Sequence, residues 1–237
     1  YTKLVMVNVD ESESNKPLLK PDLFFKNDSK SFLSNLNSKL NKDNIGPFYD
    51  WHKECLNISS MKNTSLEPQG SNPINSYFLI KCLNECTNHN HIFTNDAGSA
   101  NYVSSQGLYL KKGQREITSG AFYSMGIAIP LAIGASVTDP RKQIIVVTGD
   151  GSIELNIQEL RTISQNALNI KIFVINNGGY ASIRKSQDEM ADGRYTDDQD
   201  VLNFKNVALA FQLEYKKFDD HATLKNDIKL ELLNKRH

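Results

Sequence analysis

The chain has 237 residues, enough for about one to two domains. Lysine plus arginine and aspartate plus glutamate each number 27, so formal net charge is zero, with no basic surplus for nucleic acid and no charge block for a membrane surface. The hydrophobic residues, 39% of the chain, never gather into the ~18 consecutive apolar residues a membrane span needs.

Residues 3–9, Lys-Leu-Val-Met-Val-Asn-Val, predict a β-branched strand ending at Asp10. A turn-rich stretch follows, then a short strand over 22–26. Asp28 or Ser29 is placed to cap a helix carrying Phe32, Leu33, Leu36 and Leu40 at helical spacing. Residues 1–41 are thus expected to be the tail of an α/β unit. Residues 42–72, rich in Asn, Ser, Pro and Gly, are expected to link it to the next domain, with one helix over 48–61. From 73 to 237 the pattern is regular. Pro73 suits the first turn of a helix running to about Asn88. A strand is predicted over 91–95, a closely packed small-residue helix containing Pro130 over 124–136, and a continuous apolar strand over 143–148. A helix near 157–165 places Ile157, Leu160 and Ile163 on one face, and a second buried strand covers 170–175. Strands alternating with helices predict an α/β fold with a doubly wound parallel sheet. No internal repeat is visible.

The three cysteines, Cys55, Cys82 and Cys86, are too few and odd in number for a disulfide framework and fit a reducing cytoplasm. Cys82 and Cys86 lie four apart on a predicted helix. Without further ligands at metal spacing they are expected to be buried thiols rather than a metal pair. The five histidines show no catalytic arrangement and are expected at the surface.

Three predicted strands end in polar turns: Asp96-Ala97-Gly98-Ser99, Gly149-Asp150-Gly151-Ser152 and Asn176-Asn177-Gly178-Gly179. Open α/β sheets bind ligands outside the carboxyl ends of their strands. Asp150 offers a carboxylate and Asn177 an amide oxygen, and the paired glycines allow a turn that aims a backbone carbonyl at the same point. Three hard oxygen donors of low total charge suit Mg²⁺, whose octahedron phosphate and water complete. Gly151 and Ser152 open a helix, and a helix N-terminus attracts anions. Either motif alone is common in ordinary turns. Their order, spacing and placement after buried strands make the pair specific. A Rossmann dinucleotide domain fits poorly, because no Gly-x-Gly-x-x-Gly opens a helix after a strand.

Gly149-Asp150-Gly151-Ser152 followed by Asn176-Asn177 resembles the signature of thiamine-diphosphate-dependent enzymes. Ile117-Thr118-Ser119-Gly120, Met125 through Pro130 and Ala132 through Ala135 resemble the helix before that signature in the acetolactate-synthase type. Gln158 through Thr162 resembles the helix after it. Asn8-Val9-Asp10 resembles the end of that family's Rossmann-like central domain. The resemblance implies thiamine diphosphate and Mg²⁺ as cofactors. Asp150 and Asn177 would hold the metal by side chain and Gly179 by its carbonyl. Gly98, Ser99, Ala100, Gly151 and Ser152 would contact the diphosphate, with Ser124 and Tyr180 beside the cofactor. Met125 would support its two rings in a bent form, and the Tyr123 carbonyl would accept from the pyrimidine amine. The implied activity is decarboxylation of a 2-keto acid, with protonation or addition to a carbonyl acceptor, in a homo-oligomer. The cofactor carries most of that chemistry.

The pattern departs from the family in places. The family's catalytic glutamate lies in a separate N-terminal domain. The chain is therefore expected to be a fragment or one half of a split enzyme, not competent alone and short of the family's last strand. Where acetolactate synthases carry a Met and a Trp after the double Asn, Ser182 and Ser186 stand here. The strand-end turn at Gly98 lacks the usual Gln-His. Arg184 and Lys185 are expected to be a solvated pair rather than substrate contacts. A cofactor-binding homologue without catalysis is the alternative.

Overall fold

A parallel pair of strands opens the chain, β1 (Val5–Asn8) and β2 (Leu23–Lys26), in register from Val5 opposite Leu23 to Asn8 opposite Lys26. The computed structural model describes residues 2–40, 48–65, 73–195 and 202–234. A 3₁₀ turn over Glu11–Asn15 connects the two strands, within the stretch expected to hold only turns. The helix α1 (Ser29–Lys39) begins at Asp28, whose carboxylate accepts the Ser31 N–H at 3.1 Å. Phe32 packs on Phe25 with ring centroids 5.2 Å apart, whereas Leu33, Leu36 and Leu40 are exposed and Leu40 caps the helix instead of extending it. The helix α2 (Tyr49–Ser65) forms where one was expected. The remainder of the predicted linker, 42–47 and 66–72, lies outside the described residues. The chain divides into two compact units, Tyr1–Ser60 and Met61–His237, the boundary falling within α2.

The second unit is built on four parallel strands. In chain order its elements are α3 (Ser76–Cys86), β3 (His91–Asn95), α4 (Ser99–Gly107), β4 (Arg115–Ile117), α5 (Ala128–Thr138), β5 (Gln143–Gly149), α6 (Asp150–Ile153), α7 (Glu159–Gln165), β6 (Ile170–Ile175), α8 (Ala181–Met190), α9 (Phe204–Ala210) and α10 (His221–Leu233). The strand order is β4-β3-β5-β6, all parallel. Ile144 to Val147 are fully buried, which is why β5 appears in the sequence as an unbroken apolar run. Alternate residues serve opposite faces. Ile145 and Val147 join Phe93 and Phe173 under α3, α4 and α10, while Ile144 and Val146 join Ile92 and Ile170 under α5 and α7. The sheet is therefore covered on both sides, a doubly wound α/β fold.

Two helix starts fall later than predicted. Asn75 caps α3 by accepting the Tyr77 N–H at 2.8 Å, leaving Pro73 outside the helix. The helix α5 starts at Ala128, so residues 124–127 belong to a loop and Pro130 sits in the first turn, where its missing N–H has no intrahelical acceptor to lose. Cys82 is buried and its thiol is pushed up to about 11 by burial, Cys86 is half-buried, and no group of three metal-ligating side chains occurs among the described residues. His91 corrects the surface assignment of the histidines. It is buried at the start of β3, and burial holds its imidazole below the usual pKa.

Two-sided coverage has a direct test. Ile144→Ala and Ile145→Ala, pointing to opposite faces, should each cost about 2–5 kcal/mol in urea unfolding. A negligible cost at one of them would mean that its face of the sheet is uncovered.

Candidate cofactor site at the strand ends

The chain leaves β3 through α4 toward β4, and leaves β5 through α6 and α7 toward β6, on the other side of the sheet. Adjacent strands whose connections depart in opposite directions open a crevice at their carboxyl ends, where ligands bind in this architecture. The β3–β5 boundary is that point here. The turns after β3, β5 and β6 surround it.

Asp150 follows β5 directly and is 2% exposed. Its Oδ1 accepts the Gly151 N–H at 2.8 Å. Its Oδ2 accepts three consecutive backbone N–H groups, from Asn177 at 2.8 Å, Gly178 at 2.9 Å and Gly179 at 2.9 Å. A carboxylate this deep must find donors to replace water, and charge-assisted bonds to amides do so. Gly178 and Gly179 sit at φ +82° and +86°, a backbone that L side chains rarely adopt, which lets three amides converge on one oxygen. The structure thus brings Asp150, Asn177 and Gly179 to one junction. The Asn177 side chain is exposed there, and the Gly179 carbonyl accepts the Ala181 N–H at 2.5 Å.

Asp96, at the end of β3, received no role from the sequence. It is 1% exposed, and its Oδ1 accepts the Gly126 N–H at 2.7 Å and the Ala97 N–H at 3.0 Å, while Oδ2 accepts the Thr148 hydroxyl at 3.0 Å. This carboxylate ties the loop carrying Met125 to β3 and β5. Gly126 has φ +79°, and a Cβ there would lie 2.7 Å from the Leu155 Cβ. Asn156 donates to the Gly126 carbonyl at 2.9 Å. The signal for Asp96 was an acid directly after a buried strand, the same signal that singled out Asp150.

The other predicted residues divide. Ser99 meets Ser182 across the crevice, their hydroxyls 3.1 Å apart, so the turns after β3 and β6 touch. Gly151 lies under the Tyr180 ring, where a Cβ would stand 2.8 Å from Cε1. Ser152 is buried and Met125 half-buried. The Ala100 side chain packs into the core with Ile80 and Val103, leaving only its backbone for a ligand. Tyr123 and Ser124 are exposed, with Tyr123 at φ +46° and the Ser124 N–H donating to the Ser119 hydroxyl at 3.1 Å. Arg184 corrects the expected solvated pair. It is 8% exposed and donates to the Gly178 carbonyl at 2.8 Å and the Asn177 carbonyl at 3.3 Å, while Lys185 is exposed beside Glu189. A cavity of about 750 Å³ along the outer edge of β6, lined by Ile172, Val207, Leu213 and Phe218, contains none of the predicted residues and is a separate feature.

Helix capping varies along the chain. Asp28, Asn75, Asn203 and Asp220 cap α1, α3, α9 and α10 by side chain. Gly98, Gly149 and Tyr180, which precede α4, α6 and α8, make no side-chain cap, and neither do Ile127 and Gln158 before α5 and α7. Of the first amides at the crevice, that of Gly151 is taken by Asp150 and that of Ala181 by the Gly179 carbonyl.

Fold and crevice together define a doubly wound α/β domain with a polar crevice at the strand ends. Residues 96–236 match the family "Thiamine pyrophosphate enzyme, C-terminal TPP binding domain". The acetolactate synthase large subunit of Lactococcus lactis is 32% identical over 228 residues, covering 94% of this chain and 39% of that protein. The isozyme 1 and isozyme 2 large subunits of Escherichia coli are 28% and 26% identical, covering 93% and 98% of this chain and 39% and 40% of theirs. The chain belongs to the thiamine pyrophosphate enzymes, and it spans about two fifths of the length of these relatives.

Because Gly126 combines positive φ with close approach, Gly126→Ala should cost about 1–3 kcal/mol in chemical denaturation, through backbone strain and overlap with Leu155. Wild-type stability in that variant would show that the Met125 loop moves freely.

Proposed function

We propose that this chain is the diphosphate- and Mg²⁺-binding part of a 2-keto acid decarboxylase or carboligase of acetolactate-synthase type. The supporting observation is that the Asp150 carboxylate accepts the N–H groups of Asn177, Gly178 and Gly179, which brings the residues bearing the three expected oxygen donors together at the ends of β5 and β6. These are hard oxygen donors carrying one negative charge, a set that suits Mg²⁺ in company with phosphate oxygens and water. In this reading Asp150, Asn177 and the Gly179 carbonyl hold the metal.

The crevice fits the anionic part of the cofactor as well. The hydroxyls of Ser99 and Ser182 meet at the strand ends, and α4 and α8 begin there without side-chain caps. Gly98, Ser99, Ala100 and Ser152 contact the diphosphate through backbone N–H groups or hydroxyls, and Gly151, whose N–H is held by Asp150, allows close approach of the Tyr180 ring beside it. Met125, held in place through Gly126 by Asp96, supports the rings, with Ser124 and Tyr180 beside them, and the Tyr123 carbonyl accepts from the pyrimidine amine. When bound, thiamine diphosphate supplies the nucleophilic carbon and the electron sink for loss of carbon dioxide. The glutamate that activates the pyrimidine is contributed from outside these residues, in a homo-oligomer. No described helix is long and apolar enough to cross a membrane. We place the enzyme in the cytoplasm on its few, odd-numbered cysteines, which fit a reducing compartment.

Asp150→Ala in the full-length protein should abolish Mg²⁺-dependent binding of thiamine diphosphate in calorimetry, since the site loses its one charged protein donor. Unchanged affinity would remove the site assignment. Met125→Ala should leave cofactor affinity within about threefold and lower turnover of a 2-keto acid by about tenfold or more, because an apolar support acts on ring geometry more than on the diphosphate. An unaltered rate would reduce Met125 to core packing. Tight cofactor binding by the wild type with no turnover in a keto-acid screen would instead identify a non-catalytic homologue.

A further inference from the structure

Arg184 is the single buried residue of α8, a helix otherwise half-buried or exposed along its length. A guanidinium leaves water only against strong compensation. Here it forks onto two successive carbonyls, Gly178 at 2.8 Å through Nη1 and Asn177 at 3.3 Å through Nη2. The same peptide groups present their N–H sides to Asp150. The loop after β6 is thus gripped from both sides, its amides by a carboxylate and its carbonyls by a guanidinium.

We propose that Arg184 is a positioning residue that sets the cation preference of this site, selecting Mg²⁺ over larger divalent ions. The inference rests on the assignment of Asp150, Asn177 and Gly179 as the metal's ligands. Gly178 and Gly179 give the loop its shape but no stiffness, because residues without side chains move freely between backbone conformations. Stiffness has to come from the hydrogen bonds at its two faces. Arg184 engages the carbonyls of Asn177 and Gly178, while the Gly179 carbonyl accepts the Ala181 N–H, so the fork fixes the two peptide planes that lead into Gly179. Mg²⁺ requires short donor distances of about 2.0–2.1 Å in near-ideal octahedral array, whereas Ca²⁺ accepts about 2.3–2.6 Å and irregular geometry. A loop that loses its carbonyl grip should therefore penalise the small, exacting ion more than the large, tolerant one. Lysine cannot replace the fork, having one compact ammonium where two carbonyls are held at once.

The test uses the full-length protein with three variants: Arg184→Met, Arg184→Lys and Asp150→Ala. Thiamine diphosphate binding is titrated against Mg²⁺ and, separately, Ca²⁺, and amide hydrogen exchange of residues 177–179 is followed in metal-free protein. Arg184→Met and Arg184→Lys should raise the Mg²⁺ half-saturation on the order of tenfold, as outer partners of metal ligands do, while the Ca²⁺ value moves less than about threefold. The 177–179 amides should exchange faster in both variants without metal. Equal shifts for the two ions would mark a general structural role and overturn the proposal, as would unchanged values for both. If Arg184→Met does not fold, the lysine variant decides on the same criteria. Asp150→Ala separates the two levels. Retained Mg²⁺-dependent binding in that variant removes the site itself, whereas its loss alongside unchanged selectivity at Arg184 removes only the inference about Arg184.

Discussion

The carboxylate of Asp150 is the constraint on which the rest of the site depends. Three consecutive amides from the end of β6 and one from its own helix converge on it, in a part of the protein that water does not reach. Hydrogen bonds to an ionised group are worth about 1.5–3 kcal/mol each, more than neutral pairs, and an unpaired buried carboxylate would be strongly unfavourable. The two strand ends therefore hold each other. A neutral isostere would present an NH₂ group where acceptor atoms are needed, so the charge itself is part of the geometry. The positive φ of Gly178 and Gly179 is the other half of the arrangement, since side-chain-bearing residues would resist the turn that aims the amides inward.

Side-chain caps are used unevenly along the chain. Asp and Asn caps close α1, α3, α9 and α10, and such caps contribute about 1 kcal/mol each. The helices that begin at the ends of β3, β5 and β6 do without them, as do α5 and α7. At the junction the backbone is satisfied in other ways: Asp150 takes the Gly151 N–H and the Gly179 carbonyl takes that of Ala181.

The sequence made some of this legible and hid the rest for physical reasons. The core strands β3, β5 and β6 were found to within a residue, because strands buried on both faces produce continuous apolar runs. The helices α4 and α8 were not, since one is short and small-residued and the other mostly polar, with few apolar residues to mark a buried face. The late start of α5 traces to a tertiary contact: Asp96 holds the Gly126 amide, and the loop it holds cannot join the helix. Arg184 was misjudged for the same kind of reason. It sits beside Lys185 on a mostly polar helix, and only the carbonyls of a loop packed against it reveal that it is buried.

Two buried carboxylates then divide the work of the crevice. Asn95 pairs with Val147, so Asp96 stands opposite Thr148 and bonds to its hydroxyl. Asp150 lies two residues beyond Thr148, about 6–7 Å further along at the rise of extended chain. One carboxylate positions the loop of Met125 and the other positions the loop of Asn177 and Gly179. Their separation is set by the hydrogen-bonded register of β3 against β5, the most deeply buried pairing in the sheet, and not by either loop. A cofactor with an apolar ring system at one end and a metal-bound diphosphate at the other needs two fixed points at a constant distance. Anchoring each loop to a neighbouring strand end gives that distance the rigidity of the core. Ser182 lies outside both anchors: it touches Ser99 across the crevice and bonds to neither carboxylate.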